Sequence, residues 1–208
     1  MKRIAIIGAG GHGAIVADIL GARAAGFVDG AAALHGTTVL GLRVFATLEE
    51  LEHDGVIVAI GDNATRRRLT EVAVSAGERM ATAIHPSASI ARSAEIADGV
   101  MLCAGSIVLP RATLGHGVIV NTKASIDHDC VIGDFAHVAP AATLGGNVSV
   151  GMETFVGPGA TIVAGIRIGS RTVIGAGAVV LRNVPDDVTA WGVPARVTSD
   201  RRSETSRR

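Results

Sequence analysis

Aliphatic residues recur at every sixth position through the second half of this chain. The series has seventeen members and no gap: Ile84, Ile90, Ile96, Leu102, Val108, Leu114, Val120, Ile126, Ile132, Val138, Leu144, Val150, Val156, Ile162, Ile168, Ile174 and Val180. Six residues is neither a helix period nor a simple strand period, and a coiled coil would need seven. A period of six suits short extended segments joined by tight corners, with each aliphatic residue pointing inward. It predicts a β-helix whose coils bury their inner faces against one another.

Two further positions of the six-residue repeat are restricted. The fourth residue after each aliphatic is nearly always small or β-branched, as at Ala112, Ala124 and Cys130. Glycine directly follows the aliphatic at seven places, namely Gly115, Gly133, Gly145, Gly151, Gly157, Gly169 and Gly175. We expect the small residues to fit crowded corners and the glycines to supply the unusual backbone angles that corners need.

The segment 1–82 lacks this repeat and shows alternating strand and helix patterns instead. The predicted elements are strands at 3–7, 25–28 and 56–60 and helices at 14–20 and 64–76. This alternation predicts a Rossmann-like α/β domain with a short parallel sheet. The predicted organisation is therefore an α/β domain at 1–82, a β-helix domain at 83–197, and a disordered Ser-, Thr- and Arg-rich tail at 198–208.

A glycine-rich turn separates the first predicted strand from the first predicted helix. The run from Gly8 to Gly13 matches G-x-G-x-x-G, whose backbone N–H groups and helix N-terminus can bind phosphate. Asp29 lies about 20 residues downstream, where a carboxylate could meet a ribose hydroxyl. A domain of this size is too short for a full dinucleotide fold, so a nucleoside diphosphate fits better. The candidate ligand-binding residues are Gly10, Gly11, His12, Gly13, Asp29, Gly30, Gly61 and Asn63. The alternative is a turn that serves only helix–strand packing. His12 could contact the sugar nucleotide or cap the helix.

Composition limits the class of partner. The chain has 19 basic and 19 acidic residues and only 2% aromatic residues, so neither a basic face nor a nucleic-acid partner is indicated. No apolar run reaches the length of a membrane span. The basic start Lys2-Arg3 and the apolar run after it superficially resemble a signal peptide, but Gly8 breaks the run at once. We expect a cytoplasmic protein, with Cys103 and Cys130 buried and reduced.

The repeat [Ile/Leu/Val]-Gly-x-x-x-x resembles that of the hexapeptide-repeat acyltransferases. The segment Trp191-Gly192-Val193-Pro194-Ala195-Arg196 resembles the closing Gly-x-Pro-Ala element of that family. The resemblance implies a left-handed parallel β-helix with three hexapeptides per coil, and therefore about six coils here. It also implies a homotrimer that binds acyl-CoA between neighbouring subunits.

The Gly-Gly-His-Gly turn in front of an uninterrupted β-helix is similar to the NeuD/PglD-type sugar acetyltransferases. That resemblance implies that the front domain holds the UDP or GDP of a nucleotide-linked amino sugar. It implies acetyl-CoA as cosubstrate, with no tightly bound cofactor and no metal, and a role in surface glycan synthesis. Many relatives carry a long loop that helps build the active site. Here no hexad is interrupted, so we expect the front domain to hold the acceptor.

The segment Asn121 to His137 resembles the Asn…(Asp/Glu)-His-(Asp/Glu)…His pattern of that family. Acetyl transfer to an amine needs a base near neutral pH, and we assign His128 to that role. A carboxylate should fix the imidazole tautomer, and we expect Asp129 first and Asp127 second. Either aspartate could instead be an ordinary turn residue, and His128 an ordinary surface histidine.

The resemblance also implies positions for the cosubstrate. It places Asn121 and His137 near the acetyl-CoA thioester and the Gly146 N–H at the oxyanion. Pro158 and Ala176 match positions whose backbone lines the CoA arm.

Three other functions compete with N-acetylation of a nucleotide-linked amino sugar. One is O-acetylation of a sugar such as a sialic acid, which would use the same base. Another is a zinc-dependent β-helix hydratase with His116, His128 and His137 as ligands, although the flanking aspartates and the front domain disfavour it. The last is a non-catalytic scaffold that binds sugar nucleotides.

Overall fold

The computed structural model describes residues 2–200, which divide between Pro86 and Ser87 into two compact units. The division lies slightly beyond the predicted boundary at 82/83. Within the described residues, no helix is both long enough and apolar enough to cross a membrane.

The first unit is a parallel α/β sheet covered by helices. Its elements are β1 (Ile4–Ile7), α1 (Gly11–Leu20), β2 (Ala24–Val28), β3 (Thr38–Val39), β4 (Leu42–Phe45), β5 (Gly55–Val58), α2 (Asn63–Ser75) and β6 (Ala83–Ile84), with single 3₁₀ turns at 21–23, 32–34 and 48–50. The sheet order is β3-β4-β2-β1-β5, and every pairing is parallel except the β3–β4 hairpin. Strand β1 is fully buried at Ala5 and Ile6, as expected of a central parallel strand.

The order of these strands creates a crevice beside β1. The chain moves from β1 to β2 and β4 on one side and then crosses to β5 on the other side. In open parallel sheets, ligands bind outside the carboxyl ends of the strands at such a reversal. The glycine turn after β1 and the segment Ala59–Gly61 after β5 both lie at this edge.

The second unit is built from sixteen two-residue strands. They are β7 (Ser89–Ile90), β8 (Glu95–Ile96), β9 (Met101–Leu102), β10 (Ile107–Val108), β11 (Thr113–Leu114), β12 (Ile119–Val120), β13 (Ser125–Ile126), β14 (Val131–Ile132), β15 (His137–Val138), β16 (Thr143–Leu144), β17 (Ser149–Val150), β18 (Phe155–Val156), β19 (Thr161–Ile162), β20 (Arg167–Ile168), β21 (Val173–Ile174) and β22 (Val179–Val180). The second residue of each strand is the aliphatic of the hexad.

Those aliphatic side chains form the core of the β-helix. From Leu102 to Val180 every one is buried, with at most 3% of its surface exposed. Ile90 and Ile96, in the first coil of this unit, are only half-buried because a terminal coil has fewer neighbours. Ile84, which we expected to point inward, is exposed and lies in the first unit.

Strands β7 to β19 each pair in parallel with the third strand after them, so that Ile107 lies beside Ser125 and Ile119 beside His137. Three hexads therefore complete one coil, and the coils stack into three parallel sheets. The predicted left-handed parallel β-helix is confirmed.

The expected role of the repeat glycines is wrong. The unusual backbone angles lie at the third residue after each aliphatic, where all fourteen positions from Gly99 to Gly177 have positive φ. The seven glycines that directly follow an aliphatic do not have positive φ. A Cβ on any of them would come closer than 3.0 Å to the stretch of chain stacked on it, as at Gly133, where it would lie 2.7 Å from the Met152 nitrogen. Close approach of adjacent coils therefore requires these glycines.

An antiparallel hairpin of β23 (Val188–Gly192) and β24 (Ala195–Asp200) ends the described chain. Because β24 continues to Asp200, the predicted disordered tail does not begin at Thr198. The rest of that predicted tail, 201–208, lies outside the described residues. The exposed Trp191 donates its indole N–H to the Thr198 hydroxyl at 2.9 Å, which joins the two strands of the hairpin.

Candidate active site

His128 and Asp129 form a hydrogen-bonded pair on the corner that follows β13. The His128 Nδ1 lies 2.7 Å from Asp129 Oδ2. Neighbouring side chains on a strand point to opposite faces, but Asp129 has a φ of +59°, which turns its carboxylate toward the preceding ring. A carboxylate can only accept, so Nδ1 carries the proton and Nε2 is left as a base. Half of the His128 side chain is exposed in the single chain.

Asp127 contacts the backbone of His128 and not its ring. Its Oδ1 accepts from the backbone N–H of His128 at 2.7 Å and so fixes the start of the corner rather than the ring. Of the two carboxylates considered from the sequence, the structure thus places Asp129 at the imidazole.

The backbone of Gly146 lies directly beneath the His128 ring. A Cβ on Gly146 would come within 2.6 Å of His128 Cε1 and 2.7 Å of Nε2. Within residues 2–200 the Gly146 N–H has no hydrogen-bond acceptor, whereas its carbonyl accepts from Gly165. A donor without an acceptor therefore lies next to the proposed base, as stabilisation of an oxyanion would require.

Asn121 and His137 form a second, buried pair. The Thr122 N–H donates to Asn121 Oδ1 at 2.8 Å, which sets the orientation of the amide. The Asn121 Nδ2 therefore faces His137 Nε2, 3.1 Å away, and donates to it. His137 must then carry its proton on Nδ1. The Phe155 ring packs edge-on against His137 with the centroids 5.2 Å apart, so the imidazole is held on two sides.

Arg111 contacts Asp129 from the preceding coil. Its Nε and one terminal nitrogen lie 2.6 and 2.8 Å from the two carboxylate oxygens. The hydrogen bonds from Arg111 and then from His128 lower the pKa of Asp129 from 3.8 to about 2. Asp129 is therefore charged throughout the physiological range. We did not anticipate Arg111 from the sequence, although it precedes Asp129 by one complete coil of three hexads.

The glycine turn of the first unit forms an open N-terminus on α1. Gly10 is the residue before the helix, and as a glycine it has no side chain with which to cap it. Gly10 and Gly11 are exposed, with open space where a Cβ would stand. Gly13 is buried, and a Cβ there would collide with the Gly8 carbonyl oxygen. Gly13 thus serves packing, while Gly10 and Gly11 before it are open to solvent.

Asp29 braces this turn instead of standing free. Its Oδ2 accepts from the Ala9 N–H at 2.8 Å, and its Oδ1 accepts from the Ala31 N–H at 2.9 Å. Gly30, between Asp29 and Ala31 in the sequence, is exposed. Any contact from Asp29 to a ribose would have to share oxygens that already hold the turn.

The opposite wall of the crevice is held by a buried arginine. Arg66 is 1% exposed and donates to the Ile60 carbonyl at 2.9 Å and to Asn63 Oδ1 at 2.9 Å. The His12 ring packs against Gly61, where a Cβ would lie 2.8 Å from its Cε1. Burial and then the Arg66 charge lower the pKa of His12, so this imidazole is neutral at neutral pH.

The remaining predicted residues lie apart from the His128 pair. Pro158 and Ala176 are exposed at corners of later coils. His116 is exposed, and its backbone N–H donates to Asp134. Across the part of the chain that the structure describes, no three His, Cys, Asp or Glu side chains converge as metal ligands would. His116, His128 and His137 therefore do not form a zinc site within one chain.

Each of the two units contains a segment that matches a known protein family. Residues 3–73 match the family described as PglD N-terminal domain, and residues 147–182 match bacterial transferase hexapeptide (six repeats). A variant of GDP-perosamine N-acetyltransferase from Caulobacter crescentus, solved with CoA and GDP-perosamine, is 38% identical with a TM-score of 0.89, covering 96% of this chain and 98% of its own.

Two further relatives have related activities in their names. The acetyltransferase domain of PglB from Neisseria gonorrhoeae, solved with acetyl coenzyme A, is 37% identical with a TM-score of 0.89, covering 95% of this chain and 99% of that chain. The UDP-N-acetylbacillosamine N-acetyltransferase of Bacillus subtilis is 37% identical over 113 residues. That match spans only about half of each protein, 50% of this chain and 52% of the relative.

Proposed function

This chain belongs to the PglD-type hexapeptide-repeat sugar acetyltransferases, and we propose that it transfers the acetyl group of acetyl-CoA to the amine of a nucleotide-linked amino sugar. The observation that carries the proposal is the His128–Asp129 pair over the Gly146 backbone. It combines a base, a group that orients the base, and a hydrogen-bond donor without an acceptor.

The chemistry follows from the protons in this arrangement. The sugar amine attacks the thioester carbon while His128 Nε2 takes the proton that the nitrogen loses. Asp129 accepts the Nδ1–H bond and stabilises the imidazolium that forms. The Gly146 N–H donates to the oxygen of the tetrahedral intermediate. When the intermediate collapses, the C–S bond breaks and the imidazolium returns its proton to the CoA sulfur. No acyl-enzyme is needed.

We assign the cosubstrate to the second unit. Asn121 and His137 are buried, hydrogen-bonded to each other, and lie within one coil of His128 in sequence. Their fixed orientation suits a role in positioning the thioester. The exposed backbone at Pro158 and Ala176 is available to the CoA arm.

We assign the nucleotide of the acceptor to the first unit. The exposed Gly10–Gly11 turn at the start of α1 presents backbone N–H groups and the positive end of a helix dipole to a diphosphate. Gly61 and Asn63 form the opposite wall of the crevice, held there by the buried Arg66.

We also propose that the working form is a homotrimer in the cytoplasm. Apolar side chains stand exposed on the outer faces of the single β-helix, among them Ile107 and Val131. Exposed apolar surface of this kind is typical of a face that another subunit covers. The proposed cosubstrate, acetyl-CoA, is an intracellular metabolite.

A panel of acceptors tests the activity. UDP- and GDP-linked 4-amino sugars and free sialic acid would each be incubated with acetyl-CoA and the purified protein, with CoA release measured and the product identified by mass spectrometry. We expect an N-acetylated nucleotide sugar, with one of the two nucleotides preferred. Turnover of the hydroxyl acceptor alone would instead assign O-acetylation, and no turnover with any acceptor would favour a scaffold.

A further inference from the structure

Arg111 and Asp129 occupy equivalent corners of two successive coils. Both have positive φ, of 60° and 59°, and the Asp129 N–H donates to the Pro110 carbonyl across the coil boundary. The guanidinium contacts both carboxylate oxygens, at 2.6 and 2.8 Å. Such a two-point contact between planar groups sets the rotation of the carboxylate as well as its position.

The same contact occurs once more on the described part of the β-helix, away from any histidine. Arg171 and Asp187 have positive φ of 52° and 59°, and their nitrogen–oxygen distances are again 2.6 and 2.8 Å. The residue before Asp187 is Asp186, which accepts from the Ser170 N–H. Arg171–Asp187 thus provides a coil-to-coil brace of the same geometry in which no histidine takes part.

The pair at Asp129 also includes the His128 imidazole. Asp129 Oδ2 receives both an Arg111 terminal nitrogen at 2.8 Å and the His128 Nδ1 at 2.7 Å. Without Arg111, the carboxylate could rotate about its side-chain torsions and would present Oδ2 to the ring for only part of the time. The side chains concerned are partly exposed, so packing alone does not hold them.

We propose that Arg111 is a positioning residue for acetyl transfer, which holds the Asp129 carboxylate in the rotation that keeps His128 Nε2 directed at the acceptor amine. This inference rests on the proposed function. It adds Arg111 to the His128–Asp129 pair as a third residue, one that does not touch the substrate. Arg111 also offsets negative charge at this corner. Its guanidinium neutralises the Asp129 carboxylate, while Asp127 stays bound to the backbone N–H of His128.

The test compares Arg111→Met with Arg171→Met, which removes the matching brace. Both variants keep most of the aliphatic stem, and thermal unfolding reports any loss of fold. We expect Arg111→Met to lower kcat about tenfold with little change in either KM, in the range seen when a group that orients an essential residue is removed. Arg171→Met should keep wild-type kcat at a temperature where it is folded.

Three further readouts separate positioning from a structural role. The acidic limb of the kcat/KM profile should move to higher pH in Arg111→Met, because an unpaired Asp129 favours the imidazolium. Arg111→Lys, which restores the charge but not the two-point contact, should recover only part of kcat. In a His128→Ala background, the further change Arg111→Met should cost nothing, because there is no ring left to position.

The outcomes distinguish this inference from the proposed function. If the wild type acetylates no amine, the proposed function fails. If the wild type is active and Arg111→Met matches Arg171→Met in kcat and pH profile, the positioning role fails and the activity stands. A crystal structure of Arg111→Met provides a result that does not depend on turnover. We expect Asp129 and His128 in more than one rotamer there, and a single conformer with the Nδ1–Oδ2 contact unchanged at 2.7 Å would overturn the inference.

Discussion

The imidazole of His128 packs on the backbone of Gly146, one coil further along the β-helix, so closely that a single added methyl group would meet the ring. The two residues are 18 positions apart, since 146 − 128 = 18, and the coil period brings them into register. The atoms that a Cβ would displace belong to a side chain and not to the backbone. Substitution at Gly146 should therefore disturb the chemistry more than the fold.

Gly146→Ala is expected to lower kcat by about 10²-fold, the size of a lost general base or a lost oxyanion donor, because the ring must leave its place over the N–H. Thermal unfolding should change little, and acetyl-CoA binding measured by calorimetry should persist. A variant with wild-type kcat would show that the ring does not act from this position.

Asp129→Asn should reduce kcat by about 10²-fold or more, because an amide in place of the carboxylate allows the wrong imidazole tautomer. Asp127→Asn is the matched control. It keeps an oxygen that can accept from the His128 N–H, so its kcat should stay within a few-fold of wild type. Equal losses in the two variants would contradict the assignment of Asp129 as the ring's partner.

The pH dependence of activity should reflect imidazole and not Asp129. Arg111 and His128 hold the pKa of Asp129 at about 2, so this carboxylate stays ionised as the pH falls from 8 to 5. The acidic limb of kcat/KM should accordingly have a slope of one, the signature of a single protonation. A slope of two across that range would show that a second group of the site takes up a proton.

The same lowered pKa predicts how the corner affects stability. A carboxyl whose pKa is lowered on folding stabilises the folded state above its ordinary pKa, and this contribution is lost as the pH falls toward the lowered value. The difference in melting temperature between wild type and Asp129→Asn should hence be constant above about pH 5 and shrink from there toward pH 2. A difference that grows on acidification would contradict the ion pair with Arg111.

Gly11→Asp tests the phosphate site of the first unit. The new carboxylate would stand at the start of α1, where it favours the helix but repels a diphosphate. We expect KM for the nucleotide sugar to rise about tenfold with kcat unchanged, and binding of UDP or GDP by calorimetry to weaken equally. Ala22→Asp, at an exposed position beyond the other end of α1, should change neither value. Equal nucleotide affinity in both variants would place the diphosphate elsewhere.

Much of the second unit could be predicted from the sequence because its fold is periodic. The hexad marks the inward residue of every strand, and the relationship to known acetyltransferases adds three hexads per coil. Adding or subtracting 18 then places Gly146 beneath His128 and Arg111 beside Asp129. We overlooked Arg111 because an arginine at an exposed corner has the same pattern as any solvated charge.

Other features depend on three-dimensional detail that the pattern does not carry. The glycines that follow the aliphatics looked like sources of unusual backbone angles. Only the distance to the next coil, as between Gly133 and Met152, shows that close approach requires them. In the first unit, the β3–β4 hairpin escaped prediction because the segment between β2 and β5 has no clear periodicity. The burial of Arg66 escaped prediction because an arginine on a predicted helix has the same pattern as an ordinary solvated charge.

Acetyl transfer to the preferred nucleotide-linked amino sugar by His128→Ala tests the proposed mechanism at its centre. His116→Ala is the matched control, since His116 has the same place in its hexad, twelve residues earlier. Within residues 2–200, the His116 ring contacts no carboxylate, and only the backbone N–H of His116 donates to Asp134. We expect kcat of His128→Ala to fall by roughly 10²-fold or more while acetyl-CoA still binds, and His116→Ala to keep wild-type kcat. Unchanged turnover in folded His128→Ala protein would contradict the assignment of His128 as the base.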